Sequence, residues 1–375
     1  MSTCPRDLSA RQKWQLFLAG EDVGPMVSPL CDDWSLDVPY AWPHGEPDPF
    51  PPGHRLHALS QQMAMAGVCG WDPTFLAGVD FTPRDHTIIP QNKTVLIDRG
   101  TRTQTCIRTP MGDFTTIADS KTTSRVVKPW IETEDDFRKA IWLTRRQMDY
   151  DEDAAIAQGR ELRAGIGDRG VLGIWAGPPV ANYVNRETMF YHIADWPDLF
   201  EELHQATRAF MLKQIDTLRA CGYDYLFYCV DGTEWISPDF YRTWIQDDTR
   251  EIFRRWRAMG GFILWHSCGK IEKFVELGFY NELKPEIFET MSEPPVGNLP
   301  TLRWARELLD RAIATKGNMP LNVLLSGTPE AVRREVRRIR EQTAGFRHIV
   351  GLSDDVLKGT PLANARAFVE EARKR

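Results

Sequence analysis

Short apolar runs alternate with longer helix-like segments along most of the chain. Apolar runs of five or six residues bounded by glycine or polar residues are typical of buried strands, whereas apolar residues repeating every three or four positions are typical of helices. The predicted strands cover residues 25–30, 171–176, 225–230, 261–266, 321–325 and 347–352, and a weaker segment ends at residues 70–72. The predicted helices between them cover about 134–165, 186–220, 238–258 and 299–314, and a further helix begins at Pro329.

This alternation predicts an α/β protein whose parallel strands are covered by helices. Because the pattern repeats so often within one domain-sized length, it favours a closed (β/α)8 barrel, or TIM barrel, over an open sheet. Residues 10–18 and 55–66 predict an N-terminal helical segment. β-Branched runs at about 94–127, separated by glycine-containing turns, predict an antiparallel hairpin insertion. Residues 1–375 are expected to form a single domain of this kind.

The composition argues against several functional classes. A net charge of -6 provides no positive field for phosphates, so we expect neither nucleic-acid binding nor a polybasic membrane role. The apolar runs are too short to span a membrane, and the N-terminus lacks the apolar region of a signal peptide. Seven cysteines, an odd number without regular spacing, fit reduced thiols better than a disulfide framework. We therefore expect a cytoplasmic protein.

Polar side chains follow most of the predicted strands, at the end where barrels of this class build their active sites. They are Asp32 after the first strand, Asp231 and Glu234 after residues 225–230, His266 and Cys268 after residues 261–265, Glu289, and Asp354 after the last strand. Asp231, Glu234 and Asp32 are the candidate catalytic groups. Each of these carboxylates could instead cap a turn or a helix.

His266 and Cys268 form the most informative pair. Residues two positions apart on an extended strand point to the same side, so both side chains could face one metal ion. Imidazole nitrogen and thiolate sulfur are ligands that zinc prefers, although two ligands do not complete a site. Cys229 fits a small buried apolar side chain better than a ligand. His348, inside an apolar strand, fits a packed core histidine.

Several residues near the strand ends are candidates for binding a substrate. Trp34, Tyr183 and Trp235 would suit a planar molecule, although packing explains these rings equally well. Glu289 is the fourth candidate. It lies in a predicted loop rich in proline and glycine, where a solvated carboxylate is the expected state.

The order of these motifs resembles that of the uroporphyrinogen decarboxylase superfamily, which includes zinc- and corrinoid-dependent methyltransferases. The likeness is carried by residues 14–20, 231–238, 266–269, 325–330 and 359–365. In the decarboxylase branch, an arginine-containing motif near the N-terminus holds the carboxylates of the substrate. The corresponding stretch here, residues 26–33, is acidic and would repel a polyanion, so the resemblance favours the methyltransferase branch.

In that branch the resemblance implies zinc held by a His-x-Cys pair and a later cysteine. His266 and Cys268 match the pair, but no cysteine follows Cys268 in the sequence. We therefore expect Asp354 to replace the missing sulfur, with Glu234 or Asp231 as a further ligand. Such a site would be harder and more Lewis acidic than one with two thiolates.

Three functional hypotheses follow. The first is a methyltransferase or O-demethylase that moves a methyl group from a small methoxylated or methylated compound to a corrinoid on a partner protein, with Zn²⁺ as a Lewis acid. The second is a metal-independent decarboxylase of a small carboxylic acid, with Asp231 or Asp32 as the proton donor. The third is a non-catalytic barrel that binds a small ligand or a corrinoid protein.

Overall fold

The computed structural model describes residues 8–30, 42–43, 45–97, 100–119 and 126–374. Its strands are β1 (Met26–Val27), β2 (Thr74–Leu76), β3 (Gln91–Ile97), β4 (Gly100–Thr109), β5 (Gly112–Asp119), β6 (Val126–Lys128), β7 (Val171–Ala176), β8 (Tyr225–Cys229), β9 (Phe262–His266), β10 (Ile287–Glu289), β11 (Ala314–Met319) and β12 (His348–Leu352).

The helices mostly follow the predicted segments, and three of the long predicted segments are each divided in two. They are α1 (Ala10–Leu18), α2 (His57–Cys69), α3 (Glu134–Gln147), α4 (Glu152–Ile166), α5 (Met189–Asp195), α6 (Pro197–Leu218), α7 (Pro238–Trp244), α8 (Gln246–Ala258), α9 (Glu272–Glu276), α10 (Phe279–Leu283), α11 (Leu302–Leu308), α12 (Leu321–Ser326), α13 (Pro329–Gln342) and α14 (Leu362–Ala372). Within the described ranges, no helix combines the length and the apolar character that crossing a membrane requires.

Eight parallel strands form the central sheet, in the order β1-β12-β11-β10-β9-β8-β7-β2. The sheet curls so that the segment just before β2 is hydrogen-bonded to β1. The backbone N–H of Asp72 donates to the Val27 carbonyl at 2.6 Å, and the Val27 N–H donates to the Asp72 carboxylate at 2.9 Å. The predicted (β/α)8 barrel is confirmed.

The core has an inner part within the barrel and an outer part between the strands and the helices. Side chains from alternate strand positions, such as Tyr225 and Leu264, fill the inner part. Helix α1 lies at the N-terminal ends of the strands, where Trp14 stacks on Phe262 with 6.2 Å between ring centroids. Because α1 packs against this end, the opposite end of the barrel is where polar strand residues can meet a substrate.

The hairpin insertion is also confirmed. Strands β3 to β6 form a four-stranded antiparallel sheet in chain order. Phe114 from this sheet is buried against Trp130 and Tyr183, with ring centroids 4.8 and 5.4 Å away. These contacts attach the insertion to the loop that follows β7.

Two predicted elements are wrong. Residues 321–325 form helix α12 rather than a strand, and the strand in this part of the barrel is β11. Lys316 and Asn318 give β11 a polar sequence pattern although every residue in it is buried. Glu289 lies in the buried strand β10 and not in a solvated loop. Both errors have one cause, which is that polar side chains occupy positions where a buried strand normally carries apolar ones.

His348, the first residue of β12, is partly buried, and β11 engages both of its ring nitrogens. Its Nε2 lies 2.8 Å from the Gly317 carbonyl, and its Nδ1 lies 2.8 Å from the Thr315 hydroxyl. A neutral imidazole satisfies both bonds, with Nε2 donating and Nδ1 accepting. Burial lowers the pKa of His348 to about 3, so the folded protein keeps this ring neutral.

We expect His348 to make the protein sensitive to acid. The unfolded chain would protonate this ring below pH 6.5 whereas the folded chain would not until about pH 3, so the stability it contributes is lost as the pH falls between these values. Relative to His348→Gln, the free energy of unfolding of the wild type should fall by about 1.4 kcal/mol per pH unit. Urea unfolding of both proteins between pH 7 and 4.5 measures this, and a constant difference would contradict it.

Candidate metal centre at the barrel mouth

Four neighbouring strands each place one chemically reactive or charged side chain in a single row. Cys229 on β8 is the register partner of His266 on β9. His266 is in turn paired with Glu289 on β10, and Glu289 with Lys316 on β11. Register partners on parallel strands face the same side of a sheet. Leu264 lies two residues before His266 and faces the barrel interior, so the row faces the interior as well. The four side chains therefore meet at the carboxyl end of the barrel.

A buried ion pair supports one end of this row. The Lys316 ammonium donates to one oxygen of Glu289, and the other oxygen lies 2.8 Å from His266 Nδ1. The side chains of Lys316, Glu289 and His266 are only 2, 3 and 5% exposed. Burial raises the pKa of Glu289, but the Lys316 charge and the bond to His266 outweigh it and bring the pKa to about 2. Glu289 is thus a carboxylate that fixes the His266 ring with Nε2 directed away from it.

The other end of the row is a cluster of two thiols and an imidazole. The ligand atoms of Cys229, His266 and Cys268 all lie within 4.8 Å of one another. Hydrogen bonds from Cys229 and His266 lower the pKa of Cys268 to about 4, although burial opposes this. The bond to Cys268, together with burial, raises the pKa of Cys229.

His266 carries the balancing charge in this cluster. Burial lowers its pKa, but hydrogen bonds to Cys268 and Glu289 outweigh burial and raise the pKa to about 10. The metal-free protein therefore holds a Cys268 thiolate beside a His266 imidazolium. Such a thiolate is both a nucleophile and a metal ligand.

The donor set fits a zinc ion. Two sulfurs and one imidazole nitrogen are ligands that zinc prefers, and catalytic zinc sites use three protein ligands and keep a fourth position open. In zinc-binding histidines the ring nitrogen that does not bind the metal commonly donates a hydrogen bond to a carboxylate. Glu289 occupies this position beside His266 Nδ1.

A largely apolar cavity of about 190 Å³ adjoins the cluster. It is lined by Pro178, Val180, Ala181, Val184, Arg186, Met189, Cys229, Val230, Asp231, Trp235, Ile236, Phe240 and Ile245. Two of its charged lining residues neutralise each other, because Arg186 pairs with Asp231 at 2.7 Å. The Arg186 guanidinium also lies over the Trp235 ring, 4.9 Å from its centroid. Cys229 connects this cavity to the cluster.

The loop after β8 holds three of the sequence-predicted residues. Asp231 and Trp235 line the cavity. Burial raises the pKa of Asp231, although the charge of Arg186 opposes this. Glu234 accepts a hydrogen bond from the Lys270 N–H at 2.8 Å and folds over Gly269, where a Cβ would overlap it. The loop therefore brings Asp231 and Trp235 to the cavity and directs Glu234 to the neighbouring backbone.

Asp354 and Tyr183 lie apart from the three ligand atoms. Asp354 is close enough for the charges of His266 and Cys268 to affect its pKa, which burial raises, and its carboxylate accepts the Asp355 N–H at 3.0 Å. The Tyr183 hydroxyl donates to Gln147 at 2.9 Å, and its ring packs in the hairpin contact. Metal binding by Asp354 and substrate binding by Tyr183 stay predictions.

The remaining candidates divide into two groups. Asp32 and Trp34 lie outside the described residues. Glu289 is inside the site, but its two oxygens are engaged by His266 and Lys316, so it supports the ring instead of facing the cavity.

Sequence reasoning missed two parts of the site. Cys229 was interpreted as an apolar filler, although its position at the end of a strand, two residues before Asp231, was a usable signal. Lys316 gave no signal because its strand was not recognised. The register that aligns the two with His266 and Glu289 comes only from the structure.

The fold and this cluster define a (β/α)8-barrel protein with a thiol–imidazole site at its strand ends. The chain belongs to the uroporphyrinogen decarboxylase (URO-D) family, whose sequence model matches residues 177–375.

Individual relatives are more distant. The chain is 27% identical over 197 residues to a uroporphyrinogen decarboxylase of Thermus thermophilus, a match that covers 52% of this chain and 53% of that protein. It is 31% identical over 93 residues to a uroporphyrinogen decarboxylase of Prochlorococcus marinus, a match that covers 23% of this chain and 26% of that protein. The chain therefore spans about half the length of these curated relatives, or less.

A solved structure is similar over nearly the whole chain. This is a methyltransferase from Methanosarcina mazei, and the match covers 98% of both chains with a TM-score of 0.60 and 13% sequence identity. At this identity the likeness confirms the fold.

We expect Cys268 to react as a thiolate in the metal-free protein. Because its pKa is about 4, its alkylation by iodoacetamide should change little between pH 5.5 and 8. Cys106, whose pKa is raised chiefly by burial, should react faster as the pH rises and serves as an internal control. In Cys229→Ala, which removes the largest cause of the low pKa, alkylation of Cys268 should become pH-dependent. Peptide mass spectrometry after chelator treatment measures each site, and a Cys268 rate rising tenfold per pH unit in the wild type would contradict this prediction.

Proposed function

We propose that this protein is a methyltransferase, or demethylase, that takes a methyl group from a small methylated compound and passes it to a corrinoid carried by a separate protein. The observation that carries the proposal is the pair of buried His266 and half-buried Cys268 at the barrel mouth, with Glu289 fixed behind His266 by Lys316. The similarity in fold to a methyltransferase supports it.

In this proposal His266 and Cys268 would hold a zinc ion, and the chemistry it would supply is Lewis acidity toward the heteroatom that carries the methyl group. Glu289 keeps His266 in one orientation, and Lys316 compensates the buried charge of Glu289. Asp231, which lines the cavity, is the candidate proton donor to the heteroatom after the methyl group leaves.

The cavity supports a compact and uncharged methyl donor. Most of its lining is apolar, and Arg186 and Asp231 cancel each other's charge. A methyl ether with an apolar body fits these walls better than a polycarboxylate, because each buried carboxylate would need a partner of its own. The corrinoid would approach over the mouth, where Trp175 is 57% exposed.

Replacing Cys268 with Ala should remove the metal and the activity together. We expect the wild type to contain about one zinc per chain. It should also convert reduced cobalamin to methylcobalamin in the presence of a suitable methyl ether, whereas Cys268→Ala should do neither. Elemental analysis and the absorbance of methylcobalamin measure the two results, with Cys106→Ser as a control that leaves the cluster intact.

Two outcomes would contradict the proposed function. Zinc content and methyl transfer unchanged in Cys268→Ala would remove the assigned role of the pair. Decarboxylation of a small carboxylic acid that survives complete removal of metal would instead support the metal-independent lyase.

The Glu289–Lys316 pair should matter in two separable ways. Glu289→Gln should weaken zinc binding by roughly 10- to 100-fold because the outer partner of a metal-binding histidine is lost. Lys316→Met should lower the free energy of unfolding by about 3–5 kcal/mol because it removes the ammonium partner of a buried carboxylate.

The double variant Glu289→Gln/Lys316→Met separates these effects. It should recover most of the stability that Lys316→Met loses but not the zinc affinity. Urea unfolding and competition with a zinc chelator measure them. Additive losses of stability in the double variant would show that the two side chains do not act as a pair.

A further inference from the structure

We propose that Cys229 is the third protein ligand of this metal, so that the sulfur expected after the last barrel strand is supplied by β8. The proposal rests on the proposed function in one respect, namely that His266 and Cys268 bind a metal. It assigns a ligand that precedes the His-x-Cys pair in the sequence, whereas the resemblance implied a later one.

The first argument is geometric. Cys229 and His266 are register partners on adjacent parallel strands, and Cys268 follows His266 by two residues. The three ligand atoms already lie within 4.8 Å of one another. Around a tetrahedral zinc with bonds of about 2.0 Å to nitrogen and 2.3 Å to sulfur, ligand atoms lie roughly 3.5 to 3.8 Å apart. Contraction by about 1 Å or less, which side-chain rotation can supply, therefore closes the site.

The second argument concerns the carboxylates of the β8 loop. Asp231 is paired with Arg186 at 2.7 Å. Glu234 accepts the Lys270 backbone N–H at 2.8 Å. Each carboxylate therefore already has a partner, and neither belongs to the group of ligand atoms within 4.8 Å of one another. Cys229 does belong to that group, and the side chain it contacts is Cys268, which is itself a ligand.

The third argument concerns Asp354, the expected replacement for the missing sulfur. Its carboxylate accepts the Asp355 N–H at 3.0 Å. Among the described residues, the set of ligand atoms within 4.8 Å of one another contains Cys229 and not Asp354. For a metal bound by His266 and Cys268, the Cys229 sulfur is therefore a nearer third ligand than the Asp354 carboxylate.

This assignment also determines which part of the mouth the metal adjoins. Cys229 lines the apolar cavity, so its sulfur would join the metal to the cavity wall. A molecule in the cavity would then contact a side chain that is bonded to the metal. A ligand from the segment after β12 would not link the metal to this cavity, since neither Asp354 nor any residue of β12 lines it.

The experiment is substitution of Co²⁺ into the metal-free full-length protein. The sulfur-to-cobalt charge-transfer absorption in the near ultraviolet grows with the number of bound thiolates, so the wild-type spectrum alone distinguishes two thiolates from one. We expect intensity for two thiolates in the wild type and about half of it in Cys229→Ser. Cys268→Ser, which loses a ligand on which metal retention depends, should lose at least as much, and Cys106→Ser should match the wild type.

Zinc affinity gives a second readout that does not depend on activity. In Cys229→Ser the zinc dissociation constant should rise by more than roughly 100-fold, because outer partners of ligands alone change it by roughly 10- to 100-fold. Near-ultraviolet circular dichroism of the metal-free variant checks that it is folded.

The proposal is overturned by a wild-type spectrum with one thiolate, or by a folded Cys229→Ser variant with unchanged charge-transfer intensity and zinc affinity. Loss of cobalt ligand-field bands in Asp354→Ala, with Cys229→Ser unchanged, would identify the carboxylate as the ligand instead. A spectrum with two thiolates but no methyl transfer would support Cys229 as a ligand and contradict the proposed function. A spectrum with one thiolate and normal methyl transfer would support the proposed function and contradict Cys229 as a ligand.

Discussion

The buried ion pair between Lys316 and Glu289 is the constraint on which the rest of the mouth depends. Two charges removed from water cost several kcal/mol each unless they are paired and their remaining hydrogen-bonding groups are satisfied. Here Glu289 uses one oxygen for Lys316 and the other for His266. Lys316 holds Glu289 in place, and the bond from Glu289 fixes the orientation of the His266 ring. The ring in turn forms a hydrogen bond with Cys268.

The pair can do this because its members stand on strands and not on loops. Register aligns Lys316, Glu289, His266 and Cys229 across β11, β10, β9 and β8. Each of these four strands is hydrogen-bonded to a neighbouring strand on both sides, so the relative positions of these side chains are set by the same hydrogen bonds that make the fold. Sites built on such elements are more precise than sites on loops.

Most of the architecture could be predicted from the sequence because apolar strands and amphipathic helices differ in period. Strands such as β8 and β9 were recognised since their residues before the mouth are apolar. The same rule failed for β11, where Lys316 and Asn318 interrupt the apolar pattern, and for β10, which ends at Glu289. The pattern thus fails where buried strand positions carry polar side chains, because a polar side chain buried with a partner has the sequence signature of an exposed one.

The candidate site could be predicted only in part, for a related reason. His266 and Cys268 are neighbours in the chain, so their spacing alone suggests a shared ligand. Cys229 is 37 positions earlier than His266, and the spacing of two parallel strands in sequence carries no information about their register. Without the register, a lone cysteine in an apolar strand fits a core residue. The expectation of a carboxylate ligand arose because the resemblance implies a third ligand downstream of Cys268, where the sequence has no cysteine.

If the Cys229 thiolate takes the place of the expected carboxylate ligand, the chemistry expected of the site changes. A zinc ion bound by two thiolates and a neutral imidazole has no net charge, and the nearby Lys316 and Glu289 also cancel. The centre would then be softer and less Lewis acidic than the oxygen-containing site inferred from the sequence. It would instead present an electrically balanced wall to an apolar cavity whose own charges, on Arg186 and Asp231, are paired. An uncharged methyl donor loses little hydration on entering such a cavity, whereas an ionic donor would lose its hydration without gaining a partner. Selection for uncharged substrates would therefore arise from charge balance in the whole mouth and not from any single contact.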